Sequence, residues 1–335
     1  MRCKLKEICK PKQWKTISTE MLEQDGYPVY GANGVIGYYK EYNHEKETLL
    51  VTCRGATCGS LNICQPYSYV NGNAMALDEL KDDVNIKYLY YFLKARGFRD
   101  VISGSAQPQI IRSAIEQVEV DIKSMEEQRE IVKRFELIEQ IISSQNAQLE
   151  DLDALIKSRF VEMFTTCDKV ATMEELCTII TDGTHQPPKF QAEGIPFIFV
   201  SNLSENKVTY DAEKFISEDT YNELYKRTPI EVGDILLSTV GSYGHPAVVE
   251  EERKFLFQRH IAYLKPKREL INSYYLHGAL LSPEGQRQIE ERVKGIAQKT
   301  LNLSEIRKIK IPVPCIEQQK QYEQFIHEVD KLKVA

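Results

Sequence analysis

From Phe135 the chain sets residues at alternating spacings of three and four: Phe135, Ile138, Ile142, Gln145, Leu149, Leu152, Ile156, Arg159 and Met163. Seven of these nine are apolar, and neither proline nor glycine interrupts Met125 to Phe164. A 3.5-residue period on an unbroken segment predicts a long helix with a coiled-coil seam, in which Gln145 and Arg159 fix register at some cost in stability. At 1.5 Å per residue, roughly 35–40 helical residues span about 50–60 Å. One helix cannot bury such a seam alone. The natural partner is a second segment of the same kind, which starts at Ile316 and carries Tyr322, Phe325, Ile326, Val329 and Leu332.

Elsewhere the pattern is different. Residues 1–80 read as short strands with turns, and GANGVIGYY (Gly31–Tyr39) as a hairpin. TLLVTCRGATCG reads as a buried strand entering a glycine turn. Residues 86–98 read as a helix with Tyr88, Tyr91, Phe92 and Ala95 on one face. Further helical signals fall near 218–227 and 273–294.

These patterns occur twice. GSAQPQI (Gly104–Ile110) and GIAQKTL (Gly295–Leu301) share G-x-A-Q-x-x-[IL]. Their neighbours echo in the same order. KEIC (Lys6–Cys9) answers EELC (Glu174–Cys177), TLLVT (Thr48–Thr52) answers ILLST (Ile235–Thr239), and KYLYYFL (Lys87–Leu93) answers SYYLHGALL (Ser273–Leu281). EEQREIVKRF (Glu126–Phe135) then answers IEQQKQYEQF (Ile316–Phe325). The offset between copies grows from 168 at KEIC to about 190 at the end, which places some twenty extra residues in the second copy before ILLST. A period this long predicts two domains rather than a solenoid, as does a length of 335 residues. The expected boundaries are 1–124 and 168–314 for the domains, with helical segments at 125–167 and 315–335.

Composition adds limits. No apolar run reaches the eighteen or so residues of a membrane span and no signal peptide is evident, so a cytoplasmic protein with no membrane partner is expected. Eight cysteines form no C-x-x-C pair, and Cys53, Cys58 and Cys64 are read as reduced thiols rather than a zinc site. No metal and no cofactor are expected. The net charge of −6 is unevenly spread, at +1 over 1–124 and −4 over 125–167. Basic clusters remain at Arg2–Lys15, KPKR (Lys265–Arg268) and RKIK (Arg307–Lys310), so distribution matters more than the sum. No P-loop, amino-methyltransferase motif, metal-ligand pattern or nucleophile elbow is found, which argues against an enzyme.

A β-rich domain followed by a long helix, both given twice, resembles the specificity subunit of type I restriction–modification systems. The resemblance covers the whole chain. In the first copy it is carried by YPVYGANGVIGYY, TCRGATCG, YVNGNAMAL and SGSAQPQI. In the second it is carried by TDGTHQPPKF, VGDILLSTVGSYG and GIAQKTLNL, and the Glu-Gln-rich starts of both helices add to it. It implies an α+β fold in which two β-rich target-recognition domains are related by a pseudo-two-fold repeat and separated by helices packed as an antiparallel coiled coil. It also implies double-stranded DNA as ligand, read as an asymmetric split sequence. The implied partners are methyltransferase subunits, expected as two, and a restriction subunit, with no catalysis in this chain. A coiled-coil adapter that never touches DNA and a stand-alone DNA-modifying enzyme are the alternatives.

Residue chemistry then names the candidates. Glutamine amides pair bidentately with adenine and arginine forks with guanine. Ser105, Gln107, Gln109 and Arg112 lie in the first G-x-A-Q loop, and Gln298, Lys299 and Asn302 occupy the second. Asn33, Tyr38 and Arg54 flank the glycine turns of the first copy, and Thr184, His185, Lys189, Tyr243 and Arg259 belong to the second. The same loop glutamines would serve equally as structural caps, since both copies keep them while the half-sites should differ. On the helices the expected seam is Phe135, Ile138, Ile142, Leu149, Leu152, Ile156 and Met163 against Phe325, Val329 and Leu332. Counted from the counterparts Phe135 and Phe325, the second helix is much the shorter. Leu149–Met163 is therefore expected to lack intramolecular cover, and self-association or another partner is expected to supply it.

Overall fold

The computed structural model describes residues 1–104, 107–295 and 299–334. Two compact units divide the chain, Met1–Gln145 and Asn146–Ala335. The first begins with β1 (Arg2–Lys4), α1 (Leu5–Ile8), β2 (Lys10–Gln13), β3 (Tyr27–Gly31) and β4 (Gly34–Tyr39). It continues through β5 (Thr48–Thr52), β6 (Leu61–Cys64), β7 (Tyr69–Val70), β8 (Ala74–Asp78), α2 (Ile86–Arg96), α3 (Arg112–Ile115) and β9 (Glu119–Asp121). The helix α4 (Met125–Phe164) belongs in its first half to this unit and in its second half to the next.

The second unit begins with β10 (Val170–Thr172), α5 (Met173–Leu176), β11 (Cys177–Asp182), β12 (Ile195–Ile198), β13 (Phe215–Ile216) and α6 (Glu218–Leu224). It continues through β14 (Ile235–Ser238), β15 (Pro246–Val248), β16 (Leu256–Phe257), β17 (Ile261–Pro266), α7 (Ser273–Leu281) and α8 (Pro283–Arg292). It ends with α9 (Leu303–Ile306), β18 (Lys310–Pro312) and α10 (Ile316–Val334).

The sheets repeat strand for strand. Unit one orders a four-stranded sheet β2-β8-β5-β6, a three-stranded sheet β4-β3-β7 and a pair β1-β9. Unit two orders β11-β17-β14-β15, β13-β12-β16 and β10-β18. The parallel pairing of β3 with β7 recurs as β12 with β16. The extra residues of the second copy fall mainly in two places: 199–214 replace the two-residue β3–β4 turn between β12 and β13, and α6 with a 3-10 turn, Tyr225–Arg227, is inserted between β13 and β14.

Alternation explains the central strands. Leu49 and Val51 of β5 face a core built with α1 and α2, while Leu50 faces Val70 and Ala76 on the other side. Ile235 and Leu237 of β14 likewise face the helical core, and Leu236 the second lobe. A strand covered on both faces reads as a continuous apolar run, which is why TLLVT and ILLST stand out.

Two expectations change in detail. On α2, Ala95 is exposed and the deepest residues are Leu89 and Leu93, one turn apart; Tyr88 and Tyr91 instead bury against Val132 of α4. The helical signal over 273–294 breaks into α7 and α8, because Ser282 caps the Gly285 amide at 3.1 Å and Pro283 opens the new helix.

The helix starts share one device. Gln128 is fully buried, and its Oε1 accepts from the Asn85 amide at 2.7 Å. Its Nε2 donates to the carbonyls of Asp83 and Lys123, each at 2.9 Å. Gln319 does the same in unit two, taking the Asn272 amide at 2.7 Å and giving to Leu270 and Pro314 at 3.2 and 2.9 Å. Asn85 and Asn272 are themselves the N-caps of α2 and α7. Each glutamine thus ties the start of a spacer helix to the start of its domain helix.

Candidate nucleic-acid interface

In unit one the candidate loops gather at one end of the four-stranded sheet. Past β5, Arg54 pairs in an antiparallel bridge with Gln109, which also bridges Ser103. The Gly55 amide donates to the Pro108 carbonyl at 3.1 Å, and the Ile110 amide to Cys53 at 3.0 Å. The Ser103–Gln109 pair closes the G-x-A-Q loop with bonds of 2.9 and 2.8 Å. Gly104 holds φ at +84°, and a Cβ there would sit 2.5 Å from the Gln107 carbonyl oxygen, so the first position of the motif admits only glycine. The β3–β4 turn joins the same end: Thr57 Oγ1 donates to Asn33 Oδ1 at 2.6 Å, and the Thr52 hydroxyl to the Ala32 carbonyl. The side chains of Asn33, Arg54, Gln107 and Gln109 are all exposed there.

Two candidates stand apart from this cluster. Tyr38 pairs with Pro28 on β4, five residues beyond Asn33, about 17 Å along an extended strand. Arg112 opens α3, ion-pairs Glu116 at 2.7 Å and lines a separate groove with Lys12, Trp14 and His44. Ser105 and Gln298 lie outside the described residues.

Unit two builds the same joint. Val240 bridges Thr300, which bridges Lys294. The Gly241 amide donates to the Lys299 carbonyl at 3.3 Å and the Leu301 amide to Thr239 at 2.8 Å. The Thr239 amide in turn donates to His260 at 2.9 Å, and the Arg259 amide to Thr184 at 3.1 Å. Thr184, His185, Arg259 and the 239–241 turn therefore share one end of the sheet. Burial, and then the Arg259 guanidinium, hold His260 below its ordinary pKa. Exposed Lys189 follows Thr184 and His185 along one groove. Asn302, also exposed, takes the N-cap position of α9 without a side-chain cap.

Tyr243 and Lys299 meet, but over a carboxylate. Lys299 Nζ lies 3.0 Å from Glu290 and 3.2 Å from the Tyr243 hydroxyl, which itself donates to Glu290. Bonding to Glu290, and then to Tyr243, raises the Lys299 pKa, while Tyr243 and then Lys299 lower that of Glu290. Lys299, a candidate from sequence, is thus exposed and ion-paired with Glu290.

These paired loops on a duplicated scaffold match a known family. A family model described as the type I restriction modification DNA specificity domain matches residues 1–153 and again 169–335. The chain belongs to the type I restriction–modification specificity subunit family. The type I restriction enzyme EcoBI specificity subunit of Escherichia coli is 31% identical over 150 residues, covering 45% of this chain and 31% of that protein. A putative specificity subunit of Haemophilus influenzae is 21% identical over 322 residues, covering 91% of this chain and 80% of that one. This chain thus spans about a third of the first relative's length and four-fifths of the second's. The crystal structure of the S subunit from M. genitalium has the same fold, with a TM-score of 0.55 at 16% identity, over 99% of this chain and 90% of that one.

The specificity-subunit helices correct the expected seam. In unit two, α10 runs antiparallel to the end of α4: Tyr322 packs on Phe160 and Phe164, and Lys333 pairs with Asp153 at 2.7 Å. An antiparallel partner begins at the far end of α4, so Ile156 and Met163 are covered, contrary to the expectation for Leu149–Met163. The exposed stretch lies earlier, at Leu137, Ile138, Ile141, Ile142 and Leu149, all at least 39% exposed. Phe135 stacks on Tyr91 at 4.7 Å but keeps 40% exposure. Leu152 and Phe325 are half-buried, Val329 is buried, and Leu332, expected on the seam, is 63% exposed. With Val329, the buried apolar residues where these helices meet the core are Phe160, Phe164, Tyr322 and Ile326. Phe160, Phe164 and Tyr322 belong to the domain core that the end of α4 enters.

Sequence reasoning missed Thr57, Asp182, Arg227 and the two buried glutamines. Only Gln128 and Gln319 left a signal, as the shared Gln of the two helix starts. Among the described residues no group of three or more His, Cys, Asp or Glu is placed to hold a metal, and no helix is long and apolar enough to cross a membrane. Cys53 and Cys64 are buried thiols, and burial pushes both above the ordinary value.

Proposed function

We propose that this specificity subunit reads a split, asymmetric sequence on double-stranded DNA, one half-site per unit, and carries no catalysis itself. The observation that carries the reading is the duplicated joint of G-x-A-Q loop and glycine turn, which in each unit presents exposed polar side chains at one end of the same sheet. Paired modules suit duplex DNA, whose half-sites recur about one helical turn, 34–36 Å, apart. The side chains presented differ between units: Asn33, Arg54, Gln107 and Gln109 in one, Thr184, His185, Lys189 and Arg259 in the other. Different side chains on one scaffold favour two different half-sites.

The spacer helices are proposed to dock two methyltransferase subunits and a restriction subunit. A structure of the same fold, TM-score 0.56, comes from work on complex assembly and conformational transition of the type I restriction–modification system. The exposed apolar stretch of α4 supports a protein partner at that place. The proposed residence is the cytoplasm, where host DNA is modified. Footprinting of the reconstituted complex on its genomic target tests the reading. Two protected patches separated by an unread spacer are expected; a single patch, or none, contradicts it.

A further inference from the structure

Among the elements that unit two has and unit one lacks, one borders the candidate interface. This inserted segment, α6 and the turn Tyr225–Arg227, lies against the loop that follows β11. Between them is a groove of about 420 Å³, lined by Thr184, His185, Lys189, Thr220, Glu223 and Arg227 among others. Asp182, the last residue of β11, anchors it. Its carboxylate accepts from Arg227 Nη2 at 2.7 Å and lies 3.0 Å from His185 Nε2.

Asp182 is itself held in place. It pairs with Ala262 in the sheet, and next to it Gly183 packs so closely that a Cβ would meet the Phe257 carbonyl at 2.2 Å. Side-chain exposure is 18% for Asp182 and 53% for Arg227. Half-exposed Arg227 keeps solvent screening on the pair, which limits what it adds to stability, commonly to about 0–1 kcal/mol for surface pairs. What the pair does fix is orientation. Among the described residues the hydrogen bond of Arg227 goes to Asp182 through one nitrogen, which leaves the Nε and Nη1 donors open at the groove. A carboxylate-braced guanidinium loses less freedom on binding and presents a planar fork, the geometry that matches guanine O6 and N7 in the major groove. The groove also sits at the end of the sheet where Thr184 and Arg259 meet the 239–241 turn.

We propose that Arg227, positioned by Asp182, is a specificity-determining residue of unit two that reads a guanine in that unit's half-site. The inference rests on the DNA-reading function proposed above and deepens it. His185 shares the same carboxylate and lines the same groove.

The test is adenine-methylation sequencing of host DNA in cells carrying the complete complex, with the chain wild type, deleted, or substituted Arg227→Ala, Arg227→Lys or Asp182→Asn. Arg227→Ala is expected to relax one base pair in one half-site, with discrimination there falling about ten- to a hundredfold, and to leave the other half-site unchanged. Arg227→Lys keeps the charge but not the fork, so it is expected to relax the same position. Asp182→Asn is expected to weaken discrimination there by a smaller factor. An unchanged motif in Arg227→Ala overturns the inference, as does full rescue by lysine, which marks a phosphate contact. If Arg227→Ala abolishes methylation altogether, Arg227→Lys and Asp182→Asn carry the decision on the same criterion. A methylome unaffected by deletion of the whole chain refutes the DNA-reading function itself, so the two failures are told apart.

Discussion

Gln109 pairs its backbone with Arg54, and 186 residues after Arg54 the chain pairs Val240 with Thr300 in the same way. The duplicated G-x-A-Q motif is therefore a joint. It fastens a loop to the glycine turn behind the central strand, through main-chain bonds that do not depend on the side chains it exposes. One unit can then vary Arg54, or the other Val240, without altering the scaffold.

Arg54→Ala follows directly. The backbone joint stays, so stability should move by no more than about 0.5 kcal/mol. Affinity of the complex for its target duplex should fall about tenfold at moderate salt, and binding should become less steep against log salt by about one unit if the contact is to phosphate. Titrations of the complex at several salt concentrations check this; equal affinity at every salt concentration would remove Arg54 from the interface.

Gln128→Ala and Gln319→Ala should each destabilise their own unit. Each substitution leaves a buried amide N–H and two carbonyls without their partner, a loss of roughly 1–3 kcal/mol. The sites share no partner, so the double variant should show the sum. Urea unfolding of the variants reads both effects, and a neutral result at either position contradicts the latch.

The stretch from Leu137 to Leu149 predicts association. The isolated chain should sediment as an oligomer, and Ile138→Glu with Ile142→Glu should return it to a monomer and prevent its capture by methyltransferase subunits. Both residues are half-exposed or nearly so, hence the cost to folding should stay within about 1 kcal/mol. A stable wild-type monomer would contradict the prediction.

His277 predicts an acid limit for unit two. Its Nε2 lies 3.1 Å from the carbonyls of both Asn206 and Pro246. Burial lowers its pKa below the ordinary 6.5, while those two carbonyls act the other way. The unfolded chain therefore takes up the proton first, and stability is lost as pH falls below about 6.5, levelling off once the folded form also titrates. His277→Gln keeps a donor and should flatten that slope in urea midpoints measured between pH 5 and 8. An equally steep slope in the variant would assign the acid limit elsewhere.

How much of this was legible in the sequence varies with the physics of each element. The spacer helix was readable residue for residue, since forty residues without glycine or proline leave little else for Met125–Phe164 to form. The repeat was readable because Leu49, Val51, Ile235 and Leu237 must all be apolar to fill equivalent cores. Spacing alone sets the period of a seam and not which stretch of it an antiparallel partner covers, so the cover over Ile156 and Met163 was not legible. The Asp182–Arg227 pair could not be found either: its partners are 45 residues apart, and the segment that brings them together has no counterpart in the first copy. The ion pair of Lys299 with Glu290 was likewise not legible, since α8, which carries Glu290, has no counterpart in the first copy.

The most direct measurement is sequencing of adenine methylation across the host genome, with and without this gene and with the partner subunits present. The account predicts that deletion erases one split, asymmetric motif and leaves all other methylation in place. A methylome that is the same in both strains would contradict it.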